Sequence, residues 1–319
     1  MLALIGSGYW GKNYLRVLEE LGVLKMVCDL DEKVLEKAKE EYPNLEFTKD
    51  CKKVFQNPEI KAVVIATPAP THFLIAKQAL LAGKHVLVEK PLTLDIKEAE
   101  ELISLALQKK LVLMVGHVLR YHPAFLKLKE LILAGELGEI RYIWSNRLNF
   151  GKVRKEENVL WSFAPHDISI ILDILGQPKK ITAIGKAFLE PTVADTTLTV
   201  LEYENNVSAH IFVSWLNPFK EQKLSIIGSK KMAVWDGIRN ELVLFSHELN
   251  YHNVKGYEAV KKEGELVPFE KKEPLTEEIK HFLECVKENK TPLTDGQEGL
   301  RVLKVLAACQ KSLKNYDIS

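Results

Sequence analysis

The first residues whose types and spacing suit chemistry lie in LALIGSGYWGKNY, at the start of the chain. Gly6, Gly8 and Gly11 have the G-x-G-x-x-G spacing, which is weak evidence when it stands alone. Here an apolar strand pattern precedes the glycines and a helical pattern follows them. In that setting glycines permit a tight turn, close approach of the backbone to a pyrophosphate, and close packing of helix on strand. The stretch predicts a dinucleotide-binding loop, and a glycine-rich turn without a ligand is the alternative.

An acidic residue stands where such a loop needs a partner for the adenosine ribose. Asp29 ends the second apolar strand, in MVCDLD, about 20 residues beyond the glycines. Its carboxylate would accept hydrogen bonds from the ribose hydroxyls. Asp29 and Asp31 would repel a 2′-phosphate, and no Arg or Lys follows them directly. The sequence therefore favours NAD over NADP as cofactor.

A lysine ends another apolar run, in HVLVEKP. Lys90 needs a partner there, because removing an ammonium group from water is costly. The carboxyl ends of parallel strands face the ligand, so Lys90 is expected in the same crevice as the glycine loop. Thr67, Pro68 and His72 end a neighbouring strand in IATPAPTH and could line the cofactor. For His72 a local helix contact is the alternative, and for Lys90 a buried structural ion pair.

A second candidate for proton transfer is His166, in WSFAPHDISIILDIL. The apolar run after it predicts a helix with His166 at its start. A neutral imidazole at a helix N-terminus can act as a base, because the helix dipole disfavours its charged form. Asp167 is expected to cap the helix or to orient its neighbours. The alternative is that His166 itself is a cap or packing residue.

The arrangement of apolar runs predicts an α/β protein with two domains. Short apolar strands alternate with helical patterns up to about residue 118, which indicates a doubly wound parallel sheet, a Rossmann domain, over residues 1–118. One of its helices begins at Asp95, with Glu98 at the capping-box spacing. Residues 119–319 hold longer strands with partial alternation and two closing helices. This predicts a C-terminal α+β domain with an open, mostly antiparallel sheet.

Composition excludes several classes of partner. The chain has 319 residues, 44 basic and 43 acidic side chains and a net charge of +1, so nothing favours nucleic acid or an anionic membrane. No apolar run reaches about 18 residues, and no signal peptide precedes the first strand, so we expect a cytoplasmic protein. No metal site is predicted. The cysteines are far apart in sequence and form no C-x-x-C, which predicts reduced core thiols; they are Cys28, Cys51, Cys285 and Cys309.

Six stretches together resemble the glucose–fructose oxidoreductase/inositol dehydrogenase (Gfo/Idh/MocA) family. They are GSGYWG, ATPAPTH, VEKPL, GHVLRYHPA, PHDISIILDILG and TDGQEGLRVLKVL. The resemblance covers nearly the whole chain, and EKP is its most specific mark. It implies that Lys90 donates a hydrogen bond to the reacting substrate oxygen and that His166 relays a proton. The family often has an aspartate four residues before the histidine, where this chain has Ser162.

The same resemblance implies further contacts with cofactor and substrate. It places nicotinamide and substrate contacts in GHVLRYHP, and additional cofactor contacts beside the glycines and the lysine. The residues concerned are His117, Arg120, Tyr121, Tyr9, Trp10 and Glu89. Trp161 is the best candidate among the tryptophans for stacking on a sugar ring.

A basic loop carries the clue to the substrate. SNRLNFGKVRKEENVLW holds Arg147, Lys152, Arg154 and Lys155, with Asn149 among them. Arg offers bidentate bonds to phosphate, so the loop could clamp an anion; a solvated charged loop is the alternative. The stretch resembles family members that oxidise the 3-hydroxyl of UDP-linked N-acetylhexosamines or their uronates.

The residues and the family resemblance together predict an NAD-dependent dehydrogenase of a sugar ring hydroxyl, and the resemblance implies that it acts on carbon 3 of a UDP-N-acetylhexosamine or its uronate. A dehydrogenase of a free polyol or sugar such as myo-inositol is the first alternative. The others are a non-catalytic NAD-binding regulator, which would need neither Lys90 nor His166, and a scaffold subunit. The open sheet predicts an oligomer, since an uncovered apolar face is a liability, and the family resemblance implies a homodimer or homotetramer.

Overall fold

The computed structural model describes residues 1–151, 153–154, 157–253 and 255–315. The chain forms two compact units. The first comprises Met1–Tyr121 and Glu273–Lys304, and the second comprises His122–Lys272 and the residues from Val305 onward. The first boundary lies near the expected one at residue 118. The segment Glu273–Lys304, which the sequence placed in the second domain, belongs instead to the first unit.

The first unit is built on a six-stranded sheet of short, almost wholly buried strands. Its strands are β1 Leu2–Ile5, β2 Leu24–Cys28, β3 Glu46–Thr48, β4 Ala62–Ile65, β5 His85–Glu89 and β6 Leu113–Gly116. They lie in the order β3-β2-β1-β4-β5-β6, and every neighbouring pair is parallel. This is the strand order of a Rossmann dinucleotide-binding sheet, so the predicted doubly wound domain is confirmed.

Helices connect successive strands of this sheet. They are α1 Gly11–Glu20, α2 Glu32–Glu41, α3 Cys51–Gln56, α4 His72–Leu81 and α5 Ile96–Lys109. Aspartates begin several of them by accepting hydrogen bonds from the first free N–H groups. Asp95 does so for α5, with Lys97 N at 2.7 Å and Glu98 N at 3.3 Å, as the sequence predicted.

The C-terminal segment of the first unit joins the same core. Helix α8, Pro274–Glu288, buries Leu275, Ile279 and Phe282 in a cluster that includes residues of β1 and α1. The apolar positions recur at helical spacing, so the stripe needs a partner surface, and α1 supplies part of it. Sequence order alone could not show that this helix returns to the first sheet.

The second unit contains an eight-stranded mixed sheet and a separate hairpin. The sheet strands are β7 Ile140–Phe150, β8 Lys180–Lys186, β9 Thr196–Glu202, β10 Ser208–Ser214, β11 Leu216–Gly228, β12 Met232–Asp236, β13 Glu241–Phe245 and β16 Glu265–Leu266. Their order is β16-β13-β12-β11-β7-β10-β9-β8, and the hairpin is β14 Glu248–His252 with β15 Gly256–Val260. Among the described strands of this sheet β7 and β10 alone pair in parallel.

One face of this sheet is covered by a helix and the other is exposed. Helix α7, Val159–Leu175, packs on β7, β9 and β10. Tyr142 on β7, Ile184 on β8 and Leu198 on β9 remain exposed. The alternation of buried and exposed residues confirms the predicted open, mostly antiparallel sheet.

Two further helices, α6 and α9, follow the Rossmann strands in the chain. Helix α6, Pro123–Leu133, belongs to the second unit, and α9, Gly296–Asn315, contributes its residues up to Lys304 to the first unit and the later ones to the second. Within the described residues, no helix combines the length and the apolar character needed to cross a membrane.

Candidate active site

The glycine loop between β1 and α1 has the backbone that its spacing predicts. Gly6 has φ +90°, a conformation that favours glycine. A Cβ on Gly11 would lie 2.1 Å from the Gly6 carbonyl oxygen, so only glycine lets α1 approach the turn this closely. A Cβ on Gly8 would meet no atom of the described chain within 4 Å. The protein itself therefore leaves the space beside Gly8 open, which suits the approach of a phosphate to the backbone.

Asp29 fastens the end of β2 to this loop. Its Oδ2 accepts hydrogen bonds from the backbone N–H of Ser7 at 2.7 Å and from the Ser7 hydroxyl at 3.3 Å. Its Oδ1 accepts one from Asp31 N at 3.0 Å. The carboxylate is partly exposed and has lone pairs left for further donors. Asp29 thus both shapes the loop and can still receive ribose hydroxyls.

The end of β4 lies against the same loop. A Cβ on Gly6 would lie 2.8 Å from the backbone nitrogen of Thr67, so these segments are in direct contact. Thr71 Oγ1 lies 2.7 Å from both Thr67 Oγ1 and the Pro68 carbonyl oxygen, so it can donate to the carbonyl and accept from the Thr67 hydroxyl. His72 is buried, and its two ring nitrogens lie 2.8 Å from the carbonyl oxygens of Thr67 and Pro91. His72 therefore ties the ends of β4 and β5 together, and its contact with the cofactor stays a prediction.

Glu89 is the residue that joins the lysine turn to the glycine loop. Its Oε1 accepts hydrogen bonds from Trp10 Nε1 at 2.6 Å and Tyr14 Oη at 2.8 Å, and its Oε2 accepts one from Lys90 N at 3.0 Å. Gly116 on β6 leaves room for this, because a Cβ there would lie 3.1 Å from Glu89 Oε1. Trp10 and Glu89 thus hold the site together from within the protein, while Tyr9 is exposed with Lys12 over its ring.

A second buried carboxyl group lies beside Glu89. Tyr14 Oη is 3.2 Å from Glu278 Oε2 on α8, and Glu278 is fully buried. Burial raises the pKa of Glu278 well above its usual value, and the Glu89 carboxylate raises it further. Burial also raises the pKa of Glu89, although Lys90 and the three donors act against this. Since one hydroxyl donates one proton, the arrangement fits Tyr14 donating to Glu89 while a protonated Glu278 donates to Tyr14.

Lys90 and His117 lie near each other at the ends of β5 and β6. The Lys90–Pro91 peptide bond is cis, and Lys90 is partly exposed. Burial lowers the pKa of His117 to about 3, with the charges of Arg120 and Lys90 contributing. The imidazole is therefore neutral at physiological pH. Neither ring nitrogen of His117 has a hydrogen-bond partner within the described part of the chain. A bound ligand would satisfy them.

Arg120 and Tyr121 bind the C-terminal segment. Arg120 Nη1 forms an ion pair of 2.8 Å with Glu298 of α9, and both side chains are almost fully buried. Tyr121 Oη lies 3.2 Å from Thr294 Oγ1, and burial raises the pKa of this tyrosine. The sequence predicted substrate contacts for Arg120 and Tyr121. In the structure their polar groups face Thr294 and Glu298 of the same unit.

His166 does not lie at the start of its helix. Helix α7 begins at Val159, where Asn158 Oδ1 accepts a hydrogen bond from Trp161 N at 3.2 Å. His166 is therefore well inside the helix, and the argument from the helix dipole was wrong for it. The apolar run after His166, from which the helix start was predicted, begins in the middle of α7, and Pro165 also lies in the helix interior. His166 is partly exposed, and Ser162 one turn earlier is buried on the same face.

The residue after His166 anchors the helix to the sheet. Asp167 accepts hydrogen bonds from Ser145 Oγ at 2.6 Å, Arg147 Nε at 2.7 Å and Arg147 Nη2 at 3.1 Å. Asp167 does not cap the helix. It orients its neighbours Ser145 and Arg147, which was the other role expected of it. The guanidinium of Arg147 is occupied by this buried carboxylate, so its predicted contact with a substrate anion would compete with the pair.

The rest of the basic loop is only partly described. Lys152 and Lys155 lie outside the described residues. Arg154 is partly exposed and forms an ion pair of 2.5 Å with Glu157. Asn149 is partly exposed on β7, and Trp161 Nε1 donates to Gln310 Oε1 at 2.9 Å. The substrate-binding roles of Asn149, Arg154 and Trp161 stay predictions.

Sequence analysis missed Tyr14, Glu278 and Glu298. A signal existed for Glu278, which stands at i+3 from Leu275 and i+4 before Phe282 in an apolar stripe. A charged residue in such a stripe needs a buried partner. For Tyr14 and Glu298 the partners lie 75 and 178 residues away, so no local pattern could identify them.

The pKa of Glu278 leads to a prediction about stability. A carboxyl group whose pKa is raised in the folded state stabilises the fold fully below its unfolded pKa, about 4.3, and progressively less as pH rises towards the folded value. The side chain in Glu278→Gln is neutral at every pH, so this variant does not lose stability as the pH rises. We expect its melting temperature to exceed that of the wild type at pH 8 by more than at pH 5, as measured by circular dichroism.

Glu89→Gln is the matched control for this experiment. It replaces an acceptor oxygen with an NH₂ group among three donors, so it should lower the melting temperature at both pH values. If the difference in melting temperature between wild type and Glu278→Gln is the same at both pH values, Glu278 is ionised in the folded protein.

Comparison with known proteins places these features in a family. Residues 1–117 match the Gfo/Idh/MocA oxidoreductase family with an NAD-binding Rossmann fold, and residues 125–234 match the Gfo/Idh/MocA C-terminal domain. A UDP-N-acetylglucosamine 3-dehydrogenase of Acidithiobacillus ferrooxidans is 33% identical over 247 residues, covering 77% of this chain and 76% of that protein.

Two further relatives extend the comparison over nearly all of the chain. A solved structure of UDP-N-acetylglucosamine 3-dehydrogenase from A. ferrooxidans superposes with a TM-score of 0.87 at 27% identity, covering 100% of this chain and 98% of that one. A myo-inositol 2-dehydrogenase of Thermotoga maritima is 23% identical, covering 98% of this chain and 96% of that protein. With both of its family regions matched, the chain belongs to the Gfo/Idh/MocA family of NAD-binding oxidoreductases.

Proposed function

We propose that this enzyme oxidises, with NAD, the 3-hydroxyl of a UDP-N-acetylhexosamine or of its uronate. The observation that carries the proposal is Lys90 at the end of β5, in a turn that Glu89 fastens to the glycine loop through Trp10 and Tyr14. These contacts fix the backbone of Lys90 relative to the loop that would bind the cofactor phosphates.

The residues present suit NAD. The groups that would hold it are the backbone beside Gly8, the carboxylate of Asp29 and the ring nitrogens of His117, which have no partner among the described residues. When bound, NAD supplies the acceptor for a hydride. The Lys90 ammonium donates a hydrogen bond to the substrate oxygen, which stabilises the alkoxide that develops as the hydroxyl proton leaves. The imidazole of His166 takes that proton as general base.

The proposed substrate rests on the A. ferrooxidans relatives and on one exposed arginine. Both relatives carry the name UDP-N-acetylglucosamine 3-dehydrogenase. Arg147 is occupied by Asp167, whereas Arg154 has an ion pair that solvent reaches. Arg154 is therefore the better candidate for an anionic substrate group. Oxidation of a free polyol is the second candidate, because a myo-inositol 2-dehydrogenase matches this chain over almost its whole length.

The assembly and location proposed for the enzyme follow from its surface. The exposed face of the eight-stranded sheet carries Tyr142, Ile184 and Leu198. We propose that it packs against a second copy in a homodimer or homotetramer, since such a face is rarely left in water. The sugar substrate and NAD are consistent with a cytoplasmic enzyme.

The cofactor preference gives the first test. We expect isothermal titration calorimetry to show tighter binding of NAD than of NADP, because Asp29 would face the 2′-phosphate of NADP with a like charge. Asp29→Ser should narrow the difference by weakening NAD binding and relieving the repulsion. Asp50→Ser, at the start of α3, is the control, and it should leave the preference for NAD over NADP unchanged. A wild-type preference for NADP would refute the assignment of Asp29 to the ribose.

The substrate is tested by following NADH absorbance with UDP-N-acetylglucosamine, its uronate, glucose and myo-inositol. We expect kcat/KM for one of the UDP-sugars to be at least about tenfold higher than for myo-inositol, since a charge-assisted bond contributes roughly 1.5–3 kcal/mol. Arg154→Ala should raise KM for the UDP-sugar and not for NAD. Arg141→Ala removes an exposed charge from β7, the strand that precedes Arg154 in the chain, and serves as the control. Faster turnover of myo-inositol would select the polyol alternative.

Catalytic roles predict how two variants behave. Lys90→Met and His166→Asn should each slow single-turnover hydride transfer by about 10²–10⁴-fold and keep NAD affinity within a few fold. Lys109→Met, an exposed lysine of α5, is the control. A variant that stays within about threefold of the wild-type rate would show that its residue is not catalytic. Loss of folding in Lys90→Met would support the structural ion-pair alternative.

A further inference from the structure

Two thiols that are distant in sequence are in contact. Cys28 is the last residue of β2 and Cys51 is the first residue of α3, and their sulfur atoms are 3.3 Å apart. Cys28 is 1% exposed, whereas Cys51 is partly exposed. All four cysteines are free thiols, as the sequence predicted, but the contact between Cys28 and Cys51 was not predicted. Cys285 and Cys309 are buried, and within the described residues neither has another sulfur beside it.

Regular backbone structure holds the two thiols together. Cys28 pairs with Thr48 in the parallel register of β2 and β3. Thr48 Oγ1 accepts a hydrogen bond from Asp50 N at 3.1 Å, and Asp50 Oδ1 accepts one from Lys52 N at 2.9 Å to begin α3. The turn from Thr48 to Cys51 is thus fixed at both ends. The contact between the sulfurs follows from this geometry and does not depend on a mobile surface loop.

The two cysteines are chemically unequal. The hydrogen bond from the Cys28 thiol lowers the pKa of Cys51, although burial and the Asp50 carboxylate act against it. The same contact, together with burial, raises the pKa of Cys28. The thiolate is the nucleophilic form of cysteine, so the more exposed Cys51 is the one that a small oxidant would attack.

We propose that Cys28 and Cys51 form a redox modification site, in which peroxide makes a reversible disulfide that weakens cofactor binding. The Cys51 thiolate attacks one oxygen of hydrogen peroxide; the O–O bond breaks, hydroxide leaves, and Cys51 becomes a sulfenic acid. The Cys28 sulfur then displaces the sulfenic hydroxyl, which leaves as water with the Cys28 proton. Two thiols are oxidised and one peroxide is reduced to water. A dithiol reductant reverses the reaction by exchange.

The effect on the cofactor rests on the proposed function, because it acts through Asp29. The sulfurs must close from 3.3 Å to about 2.05 Å, which draws the end of β2 towards α3. Asp29 follows Cys28 directly, its N–H donates to the Thr48 carbonyl oxygen at 3.2 Å, and its carboxylate holds Ser7 of the glycine loop. A shift at Cys28 therefore displaces the carboxylate that is proposed to bind the ribose.

The formation of the bond is tested without any ligand. The full-length protein is treated with a small excess of hydrogen peroxide, quenched with iodoacetamide and digested for mass spectrometry. We expect a Cys28–Cys51 cross-linked peptide that dithiothreitol removes, while Cys285 and Cys309 are alkylated as thiols. In Cys51→Ser the cross-link should be absent and Cys28 should stay reduced. In Cys28→Ala, dimedone should trap a sulfenic acid on Cys51. If wild type forms no cross-link, or oxidises all four cysteines alike, the proposal is overturned.

The coupling to the cofactor is tested by titrating NAD into reduced and oxidised protein. We expect oxidised wild type to bind NAD about tenfold more weakly and Cys51→Ser to bind it equally well after both treatments. A cross-linked protein with unchanged NAD affinity would overturn the coupling. Failure of the reduced protein to bind NAD would instead overturn the proposed function, since the mass spectrum decides the disulfide independently.

Discussion

The buried carboxylate of Glu89 is the interaction on which the first unit's site depends. It accepts hydrogen bonds from the glycine loop through Trp10, from helix α1 through Tyr14 and from the backbone of Lys90. Removing a carboxylate from water costs several kcal/mol unless donors compensate it. The three donors meet that requirement only when the loop, the helix and the strand end are correctly placed. The Glu89 carboxylate, which is unfavourable without its donors, thus specifies the position of the glycine loop relative to Lys90.

The hydrogen-bond network around Glu89 and Tyr14 needs one further proton, and a residue from elsewhere in the chain supplies it. Glu278 lies across Tyr14 from Glu89, and its burial beside a second carboxyl group favours its neutral form. Two charged carboxylates in this space would repel each other and leave an acceptor without a donor. A neutral Glu278 removes both problems and leaves the negative charge on Glu89, next to Lys90. The helix that carries Glu278 therefore contributes electrostatics to the site as well as apolar surface to the core.

The sequence was sufficient for those features that depend on local pattern. The alternation of apolar strands and helices predicted the Rossmann sheet, and the spacing of Gly6, Gly8 and Gly11 predicted a backbone that the structure contains. It was insufficient where long-range contacts decide. The return of α8 to the first sheet, the engagement of Arg147 by Asp167 and the contact of Cys28 with Cys51 all join residues at least 20 positions apart. For His166 the local pattern was itself misleading, because the apolar run that follows it begins in the middle of α7 and not at its start.

Buried ion pairs hold the polar residues around the site. The Asp167–Arg147 pair joins α7 to β7 one residue from His166, and the Arg120–Glu298 pair holds α9 three residues from His117. Such pairs add little net stability compared with apolar packing. Moving one partner nevertheless costs much free energy, because the other charge is then buried without a partner. They therefore resist displacement of the elements that carry the two histidines. Electrostatic catalysis needs groups that are already oriented before the reaction begins. Under the proposed function, the high cost of separating these charges keeps each histidine oriented within its own unit.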